Sequence, residues 1–139
     1  MQNFCSGIHV LVEKNGEFLL LKRSMDDVDD PEHWDLPGGG IEFNEQPLDA
    51  AIREAKEEAG IGIKITQLLT VWAQETEHNH WSIELLAYGI HQHGDIQLSH
   101  EHSAHQWVSK EALLSISPKS RVARIKRTSI VGGAACQSL

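Results

Sequence analysis

An α+β fold built in layers is what this sequence predicts, because strand and helix signals mix along it without strict alternation. Three stretches carry that reading. Alternating apolar residues flank Asn15-Gly16, an amphipathic segment runs up to Gly60, and two long β-rich runs follow it.

The elements can be justified in order. In "GIHVLVEKNGEFLLLKR" the Asn15-Gly16 pair is the strongest short-range hairpin signal, giving strands near 6–13 and 17–23. The acidic, proline-bearing "SMDDVDDPEH" reads as a loop, followed by a brief extended "WDLP" and by "GGG" at 38–40 as a further loop element. A helix begins near Gln46 or Pro47, since proline is favoured in a first turn, and stops at Gly60. Strands are expected at about 63–75, 82–91 and 105–109. Ser109 then caps a short helix through Leu114. A last helix is expected over 118–127, with a frayed end from 130 to 139. Without repeats, low-complexity segments or linkers, residues 1–139 read as a single domain.

Composition excludes several classes of function. No apolar run approaches a membrane span, and the N-terminus lacks the basic and apolar regions of a signal peptide. Cys5 and Cys136 stand far apart, which suggests reduced thiols and a cytoplasmic protein. A net charge of −8 argues against binding polymeric nucleic acid. The charge is uneven. Lys119, Arg121, Arg124, Lys126 and Arg127 form a basic tail, whereas residues 1–117 carry 7 basic and 20 acidic groups. If so acidic a body binds a phosphorylated compound, a cation must bridge the two. The tail reads as an exposed helix that offsets the acidic body, or as a nucleic-acid or phosphate contact.

On the helix, Leu48, Ala51, Ile52, Ala55 and Ala59 form one apolar stripe at about 100° per residue. Glu54, Glu57 and Glu58 gather on its flank, with Arg53 beside Glu57. Like charges three and four residues apart destabilise a helix by roughly 0.2–0.5 kcal/mol per pair. Taken alone, "EAKEE" would be a solvated acidic face.

The surrounding residues change that reading. Gly39 to Ile61, "GGIEFNEQPLDAAIREAKEEAGI", matches GX5EX7REUXEEXGU (U aliphatic) at every specified position, through Gly39, Glu45, Arg53, Glu54, Glu57, Glu58 and Gly60, with Ala55 and Ile61 at the U positions. At ordinary residue usage a chance match is on the order of one in ten million. The chain therefore resembles the Nudix hydrolases, of the MutT-like branch. The resemblance implies an α/β/α sandwich with a mixed central sheet and the box helix packed on it.

It also implies a Mg²⁺-dependent reaction (Mn²⁺ as a substitute), since Mg²⁺ takes a few carboxylates plus waters and phosphate oxygens. Glu57 and Glu58 resemble the main metal ligands, and Glu54 a further ligand or the base that activates water. A backbone carbonyl of Gly38-Gly39 resembles a further ligand, where glycine allows close approach. Glu45 and Arg53 resemble the pair that ties loop to helix, for which arginine's planar fork is suited. Glu101, six residues before Trp107, matches the place where MutT-type members carry a metal-binding or basic glutamate. It can equally be a solvated loop acid.

Other residues leave more than one reading open. Lys22-Arg23 ends a strand and could reach phosphate or base, or stay solvated. Trp34, Trp72 and Trp81 offer a stacking surface or belong to the core. Histidines are abundant at 78, 80, 91, 93, 100, 102 and 105. The pairs His78/His80 and His91/His93 share a strand face, yet "HEHSAH" is not a zinc motif, and a base or phosphate contact fits one of them better than structural zinc.

Substrate class follows by elimination within the family. The chain lacks the signature of the coenzyme A branch, the proline of the ADP-ribose branch and the tyrosine of the dinucleoside polyphosphate branch, and its box keeps every acid. What remains is a nucleoside triphosphate or an oxidised one, cleaved to the monophosphate and pyrophosphate. A nucleotide-sugar hydrolase and a non-hydrolytic nucleotide sensor are the alternatives. The expected partner is a small nucleotide, without membrane; a homodimer is compatible with the sequence.

Overall fold

The computed structural model describes residues 3–27, 32–76 and 79–116. The expected helix at 118–127, the end at 130–139, Cys136 and His78 lie outside them. The elements are β1 (Asn3–Lys14), β2 (Glu17–Arg23), β3 (Trp34–Asp35), β4 (Gly38–Gly40), α1 (Pro47–Ala59), β5 (Gly62–Glu75), β6 (His80–His93), β7 (His102–Val108) and α2 (Lys110–Ser115).

Asn15 and Gly16 both take positive φ, 51° and 80°, the backbone a two-residue hairpin needs, and join β1 to β2 in register Lys14↔Glu17. The sheet runs in the order β3-β2-β1-β6-β5, with β7 pairing β2 and β4 pairing β1. It is mixed. β1 and β6 are parallel from Asn3↔His80 to Glu13↔Ile90, and the other pairings are antiparallel. Since β6 occupies one whole edge of β1, β2 and β4 share the other. β2 pairs only at the hairpin end, and β4 pairs with Gly7–His9 farther along. This divergence of β1 from β2 brings β4 into the sheet.

Side chains on the two sheet faces form two apolar clusters. Ile8, Val10, Val12, Leu19, Leu21 and Ala87 pack with the alanines of α1. Leu11, Leu20, Leu36, Leu86 and Val108 pack with Leu113 of α2 on the other face. The result is a helix–sheet–helix sandwich. Ser109 caps α2, its Oγ accepting from the Ala112 N–H at 3.1 Å. Among the described residues no helix is long and apolar enough to cross a membrane.

The structure departs from the sequence expectations in three places. "GGG" is a short strand rather than a loop, because residues without side chains can lie flush against β1. The strands β1 and β6 are longer, at 3–14 and 80–93, than their alternating cores suggested. The buried face of α1 is also rotated. Ala50, Ala51, Ala55, Glu58 and Ala59 are buried, whereas Leu48 and Ile52 are 43% and 38% exposed. Small alanines let the helix approach the sheet closely, and that approach draws Glu58 into the interior.

Candidate active site

The candidate site lies where α1 crosses β4. Pro47 starts α1 and Gly60, at φ 71°, ends it in the left-handed region with its N–H bonded to the Lys56 carbonyl. Over these turns Glu54 and Glu58 face β4. Glu58 is 4% exposed, and its Oε1 accepts from the Gly38 N–H at 2.8 Å. Gly39 fits under Glu54 so closely that a Cβ there would stand 2.6 Å from Glu54 Oε1.

A second segment closes the site. Backbone bonds from Gln97 N–H to the Ala59 carbonyl and from Ser99 N–H to the Glu58 carbonyl tie residues 97–99 to the end of α1. The Ser24 N–H bonds the Glu101 carbonyl at 3.0 Å. These ties bring Glu101 and His102 to Glu58. One ligand atom from each of the three lies within 4.8 Å of the others, and His102 Nε2 stands 3.3 Å from Glu58 Oε2. Among the described residues this is the group of carboxylate and imidazole atoms able to share a metal ion.

Arg53 organises the opposite flank. Its Nε and Nη2 donate to Glu45 Oε2 and Oε1 at 2.7 and 2.9 Å, Nη2 also to the Gly40 carbonyl at 3.0 Å, and Nη1 to Glu54 and Glu57 at 3.0 and 3.1 Å. Glu57, which resembled a main metal ligand, is the most exposed of the three helix acids and is held in that ion pair. Of the box acids, the described geometry therefore brings Glu58 together with Glu101, places Glu54 over Gly39, and leaves Glu57 at the rim.

The electrostatics fit a cation. Burial pushes the Glu58 carboxyl up to about 9, against the Gly38 hydrogen bond that lowers it, and neighbouring Glu54, Glu101 and Asp35 raise it further. Burial also raises Glu54, opposed by Arg53. Such a set of close, partly buried acids is costly unless a cation compensates it. Glu45 is the reverse case, brought down to about 2 by the Arg53 hydrogen bonds and the Glu42 backbone. Burial lowers His102, so the imidazole favours its neutral form. Hard oxygen donors on Glu58 and Glu101, within 4.8 Å of one another, with Glu54 over Gly39, suit Mg²⁺ or Mn²⁺.

The remaining sequence candidates are dispersed. Arg23 is engaged by Asp27 at 3.1 Å and Asp35 at 3.5 Å, so its charge is already met by carboxylates. Lys22 and Trp34 are register partners on adjacent strands, both half-buried. Trp72 donates to Gln74, and Trp81 is 47% exposed. His91 bonds the Gly94 carbonyl and packs edge-on to Trp107, and the His93 ring covers Gly62. Neither belongs to a described metal-ligand group, nor do His80, His100 and His105.

Sequence reasoning missed a buried polar group on β6. Ser82 Oγ donates to Glu84 Oε1 at 2.7 Å, and Glu84 Oε2 lies 3.9 Å from His9 Nδ1, all three residues being buried. The alternation of "SIELLAYGI" held the signal, since it sets Glu84 on the same face as Leu86.

Comparison with known proteins agrees with this architecture. The sequence model of the NUDIX domain matches residues 6–128. The chain is 41% identical over 68 residues to mouse diphosphoinositol polyphosphate phosphohydrolase 3-alpha, covering 49% of this chain and 39% of that one. It thus spans about two fifths of the length of that curated relative. It is 31% identical over 118 residues, 80% of each chain, to the asymmetrical bis(5'-nucleosyl)-tetraphosphatase of Caenorhabditis elegans. Among solved structures, the MutT protein of Methanosarcina mazei superposes with a TM-score of 0.79 at 29% identity, over 91% of this chain and 93% of that one.

Proposed function

Because this chain belongs to the NUDIX family, we propose that it is a divalent-cation-dependent pyrophosphohydrolase whose substrate is a nucleoside diphosphate linked to a further group. The substrate we infer is a nucleoside triphosphate or an oxidised one, released as monophosphate and pyrophosphate. The whole chain is read as one such domain, working in the cytoplasm with Mg²⁺. The observation that carries the reading is the convergence of Glu58 and Glu101, within reach of one another, beside Glu54 over Gly39.

A cation bound there would neutralise a diphosphate and acidify the attacking water. The chain supplies the rest. Glu57, Glu58 and Glu101 hold the cation together with the Gly39 carbonyl. To Glu54, whose proton affinity is raised by burial, we assign the proton taken from water. Arg53 fixes Glu45, Glu54 and Glu57 relative to the Gly40 backbone, so that loop and helix keep one geometry.

The C. elegans relative, matched over 80% of both chains, favours a second reading. In that reading the substrate is a bis-nucleoside polyphosphate, even though the sequence lacks that branch's tyrosine. A panel of nucleoside triphosphates, their oxidised forms, nucleotide sugars and diadenosine tetraphosphate, assayed with Mg²⁺ for each product, separates the two. Glu57→Gln should cut kcat severely, by about 100-fold or more, with Tm nearly unchanged. Unaltered turnover in that variant refutes the catalytic reading. Binding without hydrolysis across the whole panel would mean a sensor.

A further inference from the structure

His102 stands inside the candidate site, yet the reading above gives it nothing to do. We propose that His102 is a positioning residue that donates its Nε2–H to Glu58 Oε2 and is not itself a ligand of the cation. The inference rests on Glu58 being a cation ligand.

The geometry begins with the two edges of the imidazole. Nε2 stands 3.3 Å from Glu58 Oε2. Nδ1, on the far edge, is buried and has no hydrogen-bond partner among the described residues. A neutral imidazole carries one proton, and the two nitrogens compete for it. With Glu58 ionised, as a bound cation requires, a proton on Nδ1 would bury an N–H with nothing to accept it and would set the Nε2 lone pair against a carboxylate oxygen. A proton on Nε2 leaves only a bare acceptor at the buried edge and aims a donor at Glu58. Burying an unmet donor costs about 1–3 kcal/mol, so the Nε2–H tautomer is the one this pocket selects.

A histidine that ligates a metal through Nε2 needs the opposite tautomer, and such ligands almost always donate the other N–H to a partner. His102 has no such partner for Nδ1. The consequence falls on Glu58. Its Oε1 accepts from the Gly38 N–H at 2.8 Å and its Oε2 has the His102 Nε2 3.3 Å away, so a donor on Nε2 would orient the second oxygen as Gly38 orients the first. Each keeps a further lone pair for a cation. The donor set that meets the ion stays all oxygen, which suits Mg²⁺. His102 opens β7 where the β2–β7 register shifts between Lys22 and Arg23, which seats it one residue after Glu101 at the site.

The test uses the full chain, with Mn²⁺ as the probe. Nitrogen-15 NMR of the histidine rings in wild type with Mg²⁺ bound should show His102 protonated at Nε2 and bare at Nδ1. His102→Ala should weaken Mn²⁺ binding, measured by EPR titration, by about 10–100-fold. His102→Gln, whose amide N–H can replace Nε2–H, should return affinity to within about threefold of wild type. Pulsed EPR of the wild-type Mn²⁺ complex should show no directly bound nitrogen. A proton on Nδ1, a bound nitrogen, or wild-type affinity in His102→Ala each overturns the inference. The NMR readout needs no variant to fold. If wild type binds no Mn²⁺ at all, the cation site fails and the inference falls with it; if wild type binds and His102→Ala binds equally, only the inference fails.

Discussion

Arg53 and Glu45 meet through two parallel hydrogen bonds, Nε to Oε2 at 2.7 Å and Nη2 to Oε1 at 2.9 Å, which join α1 to the loop before it. The same guanidinium reaches the Gly40 carbonyl and the carboxylates of Glu54 and Glu57. One side chain thus fixes the spacing between β4 and two acids of the site. Its five donors in a rigid fork make that possible.

Arg53→Lys should therefore fail as a substitute. A lysine keeps the charge but cannot span Glu45, Gly40 and Glu54 at once. We expect kcat/KM to fall by about tenfold or more, together with a lower Tm. Steady-state kinetics and a thermal melt check this. Wild-type kinetics in Arg53→Lys would mean that the fork does not position the acids.

The Glu45 carboxyl provides an acid-side test. Arg53 and the Glu42 backbone hold it at about 2, from an ordinary value of 4.5. Its folded-state value is depressed, so its contribution to stability is complete above about 4.5 and is lost as pH falls towards 2. Wild-type Tm should drop across that window. Glu45→Gln should start lower at neutral pH and fall less over the same range, as followed by circular dichroism. Parallel curves for the two proteins would show that the pair adds no pH-linked stability.

Residues whose role lies in local spacing were legible in the sequence. The glycine after the helix, the Asn15-Gly16 hairpin and the Ser109 cap are short-range devices, and the structure has each where the residues put it. The rotation of α1 was not legible. Hydrophobicity alone favoured Leu48 and Ile52 for the buried stripe, but the close approach permitted by Ala51 and Ala55 decides which face is covered. The partners of Glu58 were hidden for a different reason. Gly38 and His102 lie 20 residues before it and 44 after, and only the pairing of β4 and β7 into one sheet brings them together. Glu101 was reachable only through resemblance, because nothing in its own neighbourhood distinguishes it from a loop acid.

Glu58 should make the metal-free protein less stable as pH rises. Its carboxyl is raised to about 9 from 4.5. The folded state therefore holds a proton that the unfolded chain releases, and the stability present below about 4.5 is lost progressively up to about 9. A cation must displace that proton, so Mg²⁺ should bind more tightly and raise Tm more at the alkaline end of this range. Glu58→Gln should flatten the metal-free curve and abolish most of the Mg²⁺ shift, at the expense of activity. Melts across pH with Mg²⁺ and with chelator decide it. A Mg²⁺ shift that shrinks with rising pH would contradict this assignment.

The adjacent glycines of β4 should respond differently to one added methyl group. At Gly38, φ is +154° and a Cβ would stand 2.3 Å from the Ile8 carbonyl oxygen, a backbone atom held in the sheet. Nothing there can move cheaply, so Gly38→Ala should destabilise the fold by about 2–4 kcal/mol, an overpacking cost joined to backbone strain. At Gly39 the obstruction is the end of the Glu54 side chain, 2.6 Å away, which can swing aside. Gly39→Ala should leave the fold nearly as stable but move Glu54 from its place over β4, lowering kcat by about tenfold or more. Chemical denaturation and kinetics on both variants separate the two effects. If Gly39→Ala retained full activity, Glu54 would not need its position over the strand, and its role as the proton acceptor would be lost with it.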